Sequence, residues 1–164
     1  MQTSSSSISK LLPFATEASW ATNRWTALEK YNSLVNDESR DDFNVRLGQA
    51  LLALHHGQGE TGKFCSIIGA IRTDIARSLS APTTASIAVS HDVLLKLHVL
   101  TEIELVAGVG NRGNIDRGEI LSLLNRRINV LGSYFNDKQY LLGIRRAVMK
   151  LSKYASPLGT KRKC

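Results

Sequence analysis

Apolar residues recur at three- and four-residue steps along most of the chain, the spacing of amphipathic helices. No alternating Val/Ile/Thr run is long enough to require a strand. Trp20 and Trp25 flank Asn23, a turn former, and Trp25, Leu28 and Tyr31 share one helical face. A helix should start at Asp41–Asp42, where carboxylates suit the N-terminal dipole. Its core face is Phe43, Leu47, Ala50, Leu51 and Leu54, and Gly57, Gly59 and Gly62 break it. The next helix, from about Lys63, carries Phe64, Ile67, Ile68, Ile71 and Ile75 on one side. A turn at Ser80–Thr83 precedes a long helix capped by Thr83 or Thr84. Leu95, Val99, Ile103 and Val106 form its stripe, beside Leu94, Leu97 and Leu100. Two further helices are predicted over 115–132 and 137–155. Ile120, Leu124, Ile128 and Leu131 line the first; Leu141, Ile144, Val148 and Leu151 line the second. The three prolines, Pro13, Pro82 and Pro157, all fall where a helix should begin or end.

About seven helices in consecutive pairs predict an all-α protein, with antiparallel pairs stacked as an α-solenoid of tetratricopeptide or HEAT type. Leu47–Gly48, Leu51 and Phe64 match part of a tetratricopeptide unit, with Gly48 allowing a neighbouring helix to come close. The predicted organisation is a disordered Ser-rich start over 1–13, a helical-repeat segment over 14–155 and a basic tail over 156–164.

Charge adds a second layer. The chain has 164 residues, with 21 Lys or Arg and 14 Asp or Glu, a net charge of +7. Residues 1–56 and 57–110 are each slightly acidic, whereas 111–164 hold twelve basic and three acidic side chains. A basic third suits nucleic acid, a membrane surface or an acidic partner. Arg126, Arg127, Lys138, Arg145, Arg146 and Lys153 are the candidate interaction surface. Arg145 and Arg146 are expected opposite the Leu141/Ile144/Val148 stripe. No nucleic-acid reading motif accompanies them, so direct nucleic-acid binding is not expected. No apolar run is long enough for a membrane span. The start is no secretory signal, and Cys65 and Cys164 are too few for a disulfide framework or a cysteine-based zinc site. Cys65 reads as a buried thiol in a reducing intracellular setting.

Three segments imitate nucleotide chemistry. Gly57-Gln-Gly-Glu-Thr-Gly-Lys63 has the spacing of a phosphate loop, but Phe64 stands where a hydroxyl must ligate magnesium, and a helix precedes it in place of the required strand. Gly108-Val-Gly-Asn-Arg-Gly113 matches a dinucleotide fingerprint and likewise follows a helix. Asp42-Phe43-Asn44 resembles a kinase Asp-Phe-Gly, yet sits at a helix start without a His-Arg-Asp loop. No catalytic, cofactor or metal residue is therefore assigned. His91 and His98 are seven residues apart, wider than a helical metal pair, and fit packing. His55–His56 end a helix, where a cation suits the dipole.

Trp20-x4-Trp25-x2-Leu28-Glu29, the run Asp42 to Leu51, Leu94 to Glu104 and Lys138-Gln-Tyr-Leu-Leu-Gly-Ile-Arg-Arg-Ala147 occur in order across residues 14–155. In this order they resemble the FAT domain of ATR-type checkpoint kinases, phosphatidylinositol-kinase-related protein kinases, with fungal members nearest. The resemblance implies a non-catalytic helical scaffold, a fragment of a large nuclear Ser/Thr kinase acting in DNA-damage signalling and repair. Its partners would be the kinase domain and neighbouring repeats. ATP and magnesium would belong to that kinase domain, and none of its catalytic residues has a counterpart here. The alternative is a free-standing helical adaptor that uses the basic third to bind an acidic protein or nucleic acid. A small nucleotide hydrolase built on Gly57–Lys63 would require a parallel sheet.

Overall fold

The structure, a computed structural model, describes residues 3–57, 61–80, 87–108 and 117–154. Those residues form seven α-helices and no strand. The chain divides into two compact units, residues 1–71 and 72–164.

The first unit holds α1 (Thr3–Ala21), α2 (Trp25–Asn32), α3 (Phe43–His56) and the start of α4 (Thr61–Ser80). Helices α1, α2 and α3 pack on one another around Trp20, Leu28, Leu47 and Leu51, each at most 1 % exposed. Asn23 has φ 59 and ends α1 in the left-handed conformation. Its N–H bonds the Trp20 carbonyl and the Arg24 N–H bonds that of Ser19, the paired closure of a Schellman motif. The side-chain amide of asparagine tolerates that backbone better than most residues. The expected turn between the tryptophans is therefore present, and its chemistry is a helix cap. Trp25 stacks on His55 with ring centroids 5.0 Å apart, joining α2 to α3.

At α3 the extended Asp42 accepts hydrogen bonds from the N–H groups of Asn44 (2.8 Å) and Val45 (3.1 Å). This is an N-cap, so the Asp-Phe-Asn string is structural here. Leu47, Ala50, Leu51 and Leu54 are buried as the spacing predicts, while Phe43 is half-buried. Gly48 faces Thr16 of α1, where an added Cβ would stand 2.4 Å from the threonine methyl. The close approach expected at Gly48 is thus realised.

Two expectations fail in this unit. Pro13, expected where a helix begins or ends, lies inside α1. A proline there removes one helical hydrogen bond. The helix persists because its inner face is anchored by Leu12, Thr16, Ser19 and Trp20, all buried. Cys65, expected as a buried thiol, is half-buried beside the fully buried Phe64, and its sulfur is not a free thiol. Pro82, Pro157, the Thr83/Thr84 cap and the tail over 156–164 lie outside the described residues.

The second unit contains the rest of α4, then α5 (Ile87–Ala107), α6 (Arg117–Val130) and α7 (Phe135–Tyr154). Helix α5 packs mainly against α7 and less extensively against α6. Leu141, Ile144, Val148 and Leu151 bury the predicted face of α7. On α5 the buried face is Val93, Val99, Leu100, Glu102 and Ile103; Leu95 and Val106 are half-buried and Leu94 is exposed. The predicted stripe was turned because α5 is apolar on nearly every side, so periodicity alone cannot choose its inner face. No helix of the described residues is long and apolar enough to cross a membrane.

Candidate functional site

The candidate basic residues all lie on α6 and α7, and the structure separates them into different environments. Arg126 and Arg146 are exposed. Arg127 and Lys138 are half-buried. The backbone of Lys153 belongs to α7, but its side chain lies outside the described residues. Arg145, expected to face solvent beside Arg146, is only 8 % exposed.

Arg145 turns inward because a carboxylate waits for it. Glu102 of α5 is completely buried, and Arg145 Nε donates to its Oε1. The same guanidinium donates from Nη2 to the Leu124 carbonyl (2.8 Å) and from Nη1 to Asn125 Oδ1 (3.3 Å), both on α6. One side chain of α7 thereby engages α5 and α6 together. A buried charge is tolerable when paired and hydrogen-bonded, and Arg145 meets that requirement. Its planar fork allows three separate bonds, which a lysine could not place in these directions.

Arg127 completes the cluster from α6. Its Nη2 donates to Nδ1 of His98 (3.1 Å), so His98 is the neutral tautomer carrying its proton on Nε2. Its Nε lies 4.0 Å from Glu102 Oε2, and neither atom has a hydrogen-bond partner. Burial raises the Glu102 pKa above the usual carboxylate value, opposed by Arg145 and Arg127. Burial, then the Arg127 charge, lowers that of His98.

Nearby, His91 Nε2 lies 2.7 Å from Asp137 Oδ2, and the His91 ring tilts against Tyr134 at 4.8 Å. This contact joins the beginnings of α5 and α7. Arg72 of α4 grips Glu104 of α5 through two bonds of 2.7 Å. At the end of α3, His56 approaches Glu29 at 3.5 Å. His55 has its pKa lowered by burial and by His56, against the pull of Glu29. The cation expected at that helix end is therefore disfavoured at His55.

Both glycine-rich nucleotide look-alikes follow the end of a helix. Helix α3 ends at His56 and α4 begins at Thr61, so Gly57 to Lys63 joins two helices; residues 58–60 lie outside the described residues. Helix α5 ends at Ala107, and residues 109–113 of the second glycine string also lie outside them. Among the described residues no group of three or more His, Cys, Asp or Glu could hold a metal ion. The arrangement supplies interhelical attachment, and its charges are spent on one another.

The sequence does not single out Glu102, because with Thr101 and Glu104 beside it an acid there reads as a solvent-facing position. The available signal was its i,i+4 spacing from His98, which puts both on one side of α5.

No solved structure matches the chain. The family model of the FAT domain matches residues 12–161, nearly the whole helical array described above. The chain belongs to the FAT domain family, the helical scaffold of phosphatidylinositol-kinase-related protein kinases.

Proposed function

We propose that this chain serves as scaffold for an ATR-type Ser/Thr protein kinase in DNA-damage checkpoint signalling and repair, and performs no chemistry itself. The observation that carries this reading is the FAT match over residues 12–161; the resemblance of the chain's ordered sequence strings to ATR-type members supports the finer assignment. In this reading the protein works in the nucleus. ATP and magnesium bind in the kinase domain, and that domain and neighbouring helical repeats are its partners. Helix α1 carries Ile8, Leu11 and Phe14 exposed at three-residue steps, and Val130, Tyr134 and Phe135 are exposed where α6 meets α7. Uncovered apolar faces of this kind suit repeats that stack on further repeats. Arg126 and Arg146 supply the polar part of such a surface.

The adaptor reading has less support, because Arg145 and Arg127 are directed into Glu102 and His98. The deciding experiment offers the purified chain to kinase domains from ATR-type enzymes and from other phosphatidylinositol-kinase-related kinases. Preferential capture of the ATR-type domain supports the proposal. Equal capture of all of them, or ATP binding by the chain that is lost in Lys63→Ala, overturns it.

A further inference from the structure

Helix α5 presents two acceptors to α6 on successive turns, His98 Nδ1 and Glu102 Oε2, and one arginine lies within reach of both. Arg127 bonds the first at 3.1 Å through Nη2. Its Nε is 4.0 Å from the second, and both of those atoms are buried without a hydrogen-bond partner. An unmet buried donor facing an unmet buried acceptor is costly, and a small rotation of the guanidinium would satisfy both.

We propose that Arg127 is a proton-driven switch: it bonds neutral His98, and moves onto Glu102 Oε2 when His98 Nδ1 takes up a proton. Protonation converts Nδ1 from acceptor to donor, so the existing bond cannot survive. It also sets two cations face to face. The charged groups acting on this pair of α5 residues are Arg127 from α6 and Arg145 from α7. Arg145 is committed to Glu102 Oε1, the Leu124 carbonyl and Asn125, which leaves Oε2 for Arg127. Glu104, also on α5, is held by Arg72. The switch alters how α6 is attached to α5 while Arg145 keeps the three helices together. His98 is half-buried, so protons reach it from solvent. Its lowered pKa puts the transition below the ordinary histidine value of 6.5.

The test uses the full chain labelled with 15N. Ring nitrogen shifts follow His98, and hydrogen exchange at Arg127 Nε–H is measured relative to the exposed Arg126 in the same sample. As His98 becomes protonated, the relative exchange at Arg127 should slow about tenfold, the effect of one charge-assisted hydrogen bond. Exchange that ignores the His98 titration overturns the proposal. In His98→Gln, which keeps an acceptor but cannot titrate, the Arg127 signal should stay constant over the same pH range. A change that persists in this variant also overturns it. Glu102→Gln, where it folds, should weaken the slowing; His98→Gln decides the matter where it does not.

Discussion

Thr16 and Gly48 bring α1 and α3 into backbone-level contact: a Cβ at position 48 would stand 2.4 Å from the Thr16 methyl and 3.2 Å from Leu28 Cδ1. Gly48→Ala should therefore destabilise the protein by about 1–3 kcal/mol, the usual cost of overpacking, despite the better helix propensity of alanine. Thr16→Ser deletes the obstructing methyl, and combined with Gly48→Ala it should recover most of the loss. Urea unfolding of the two single variants and the double variant checks this. Additive losses would show that the methyl is not the obstacle.

The cap of α1 gives a second prediction. Asn23 has φ 59, a conformation glycine adopts freely and β-branched residues adopt poorly. Asn23→Gly should be close to neutral, and Asn23→Val should cost about 1–2 kcal/mol. Thermal unfolding should rank the three proteins in that order.

At the start of α3, Asp42→Ala removes the acceptor for two backbone N–H groups and should cost about 1 kcal/mol. Asp42→Ser should cost less. The amides of Asn44 and Val45 should be the first to lose protection from hydrogen exchange.

Among the candidate basic residues the effects should differ sharply. Arg145→Ala leaves Glu102 buried without its main partner and should cost about 3–5 kcal/mol. Arg126→Ala, on the exposed face of α6, should change stability by less than about 0.5 kcal/mol. Equal effects in chemical denaturation would contradict the burial difference on which this rests.

The pH dependence has two components of opposite sign. Glu102 has a raised pKa in the folded protein, so its contribution is present below the unfolded carboxylate value and lost as pH rises through the folded one. His98 has a lowered pKa, so its contribution is present above the unfolded value of 6.5 and lost as pH falls through the folded one. His98→Gln should flatten the slope just below neutrality. Glu102→Gln should flatten it on the acid side, starting from the ordinary carboxylate value of 4.5. Denaturation midpoints of the three proteins measured across pH check both signs.

Periodicity alone determined the helical class and the inner faces of α3, α4 and α7, whereas the expected pairing of consecutive helices gave way to α7 packing mainly on α5. The same spacing that buries Leu47 and Leu51, or Ile144 and Val148, also defines the helix. Asn23, Asp42 and Gly48 were legible for the same reason: each has a local backbone or size role that shows in residue type. The face of α5 and the direction of Arg145 were not legible. A helix apolar on nearly every side offers no preferred inner face, and an arginine on the polar side of α7 looks solvated until its partner is known. That partner, Glu102, lies forty-three residues earlier in the chain. Only the packing of α5, α6 and α7 brings the two charges together, because desolvation makes a buried carboxylate depend on the cations that tertiary structure places beside it.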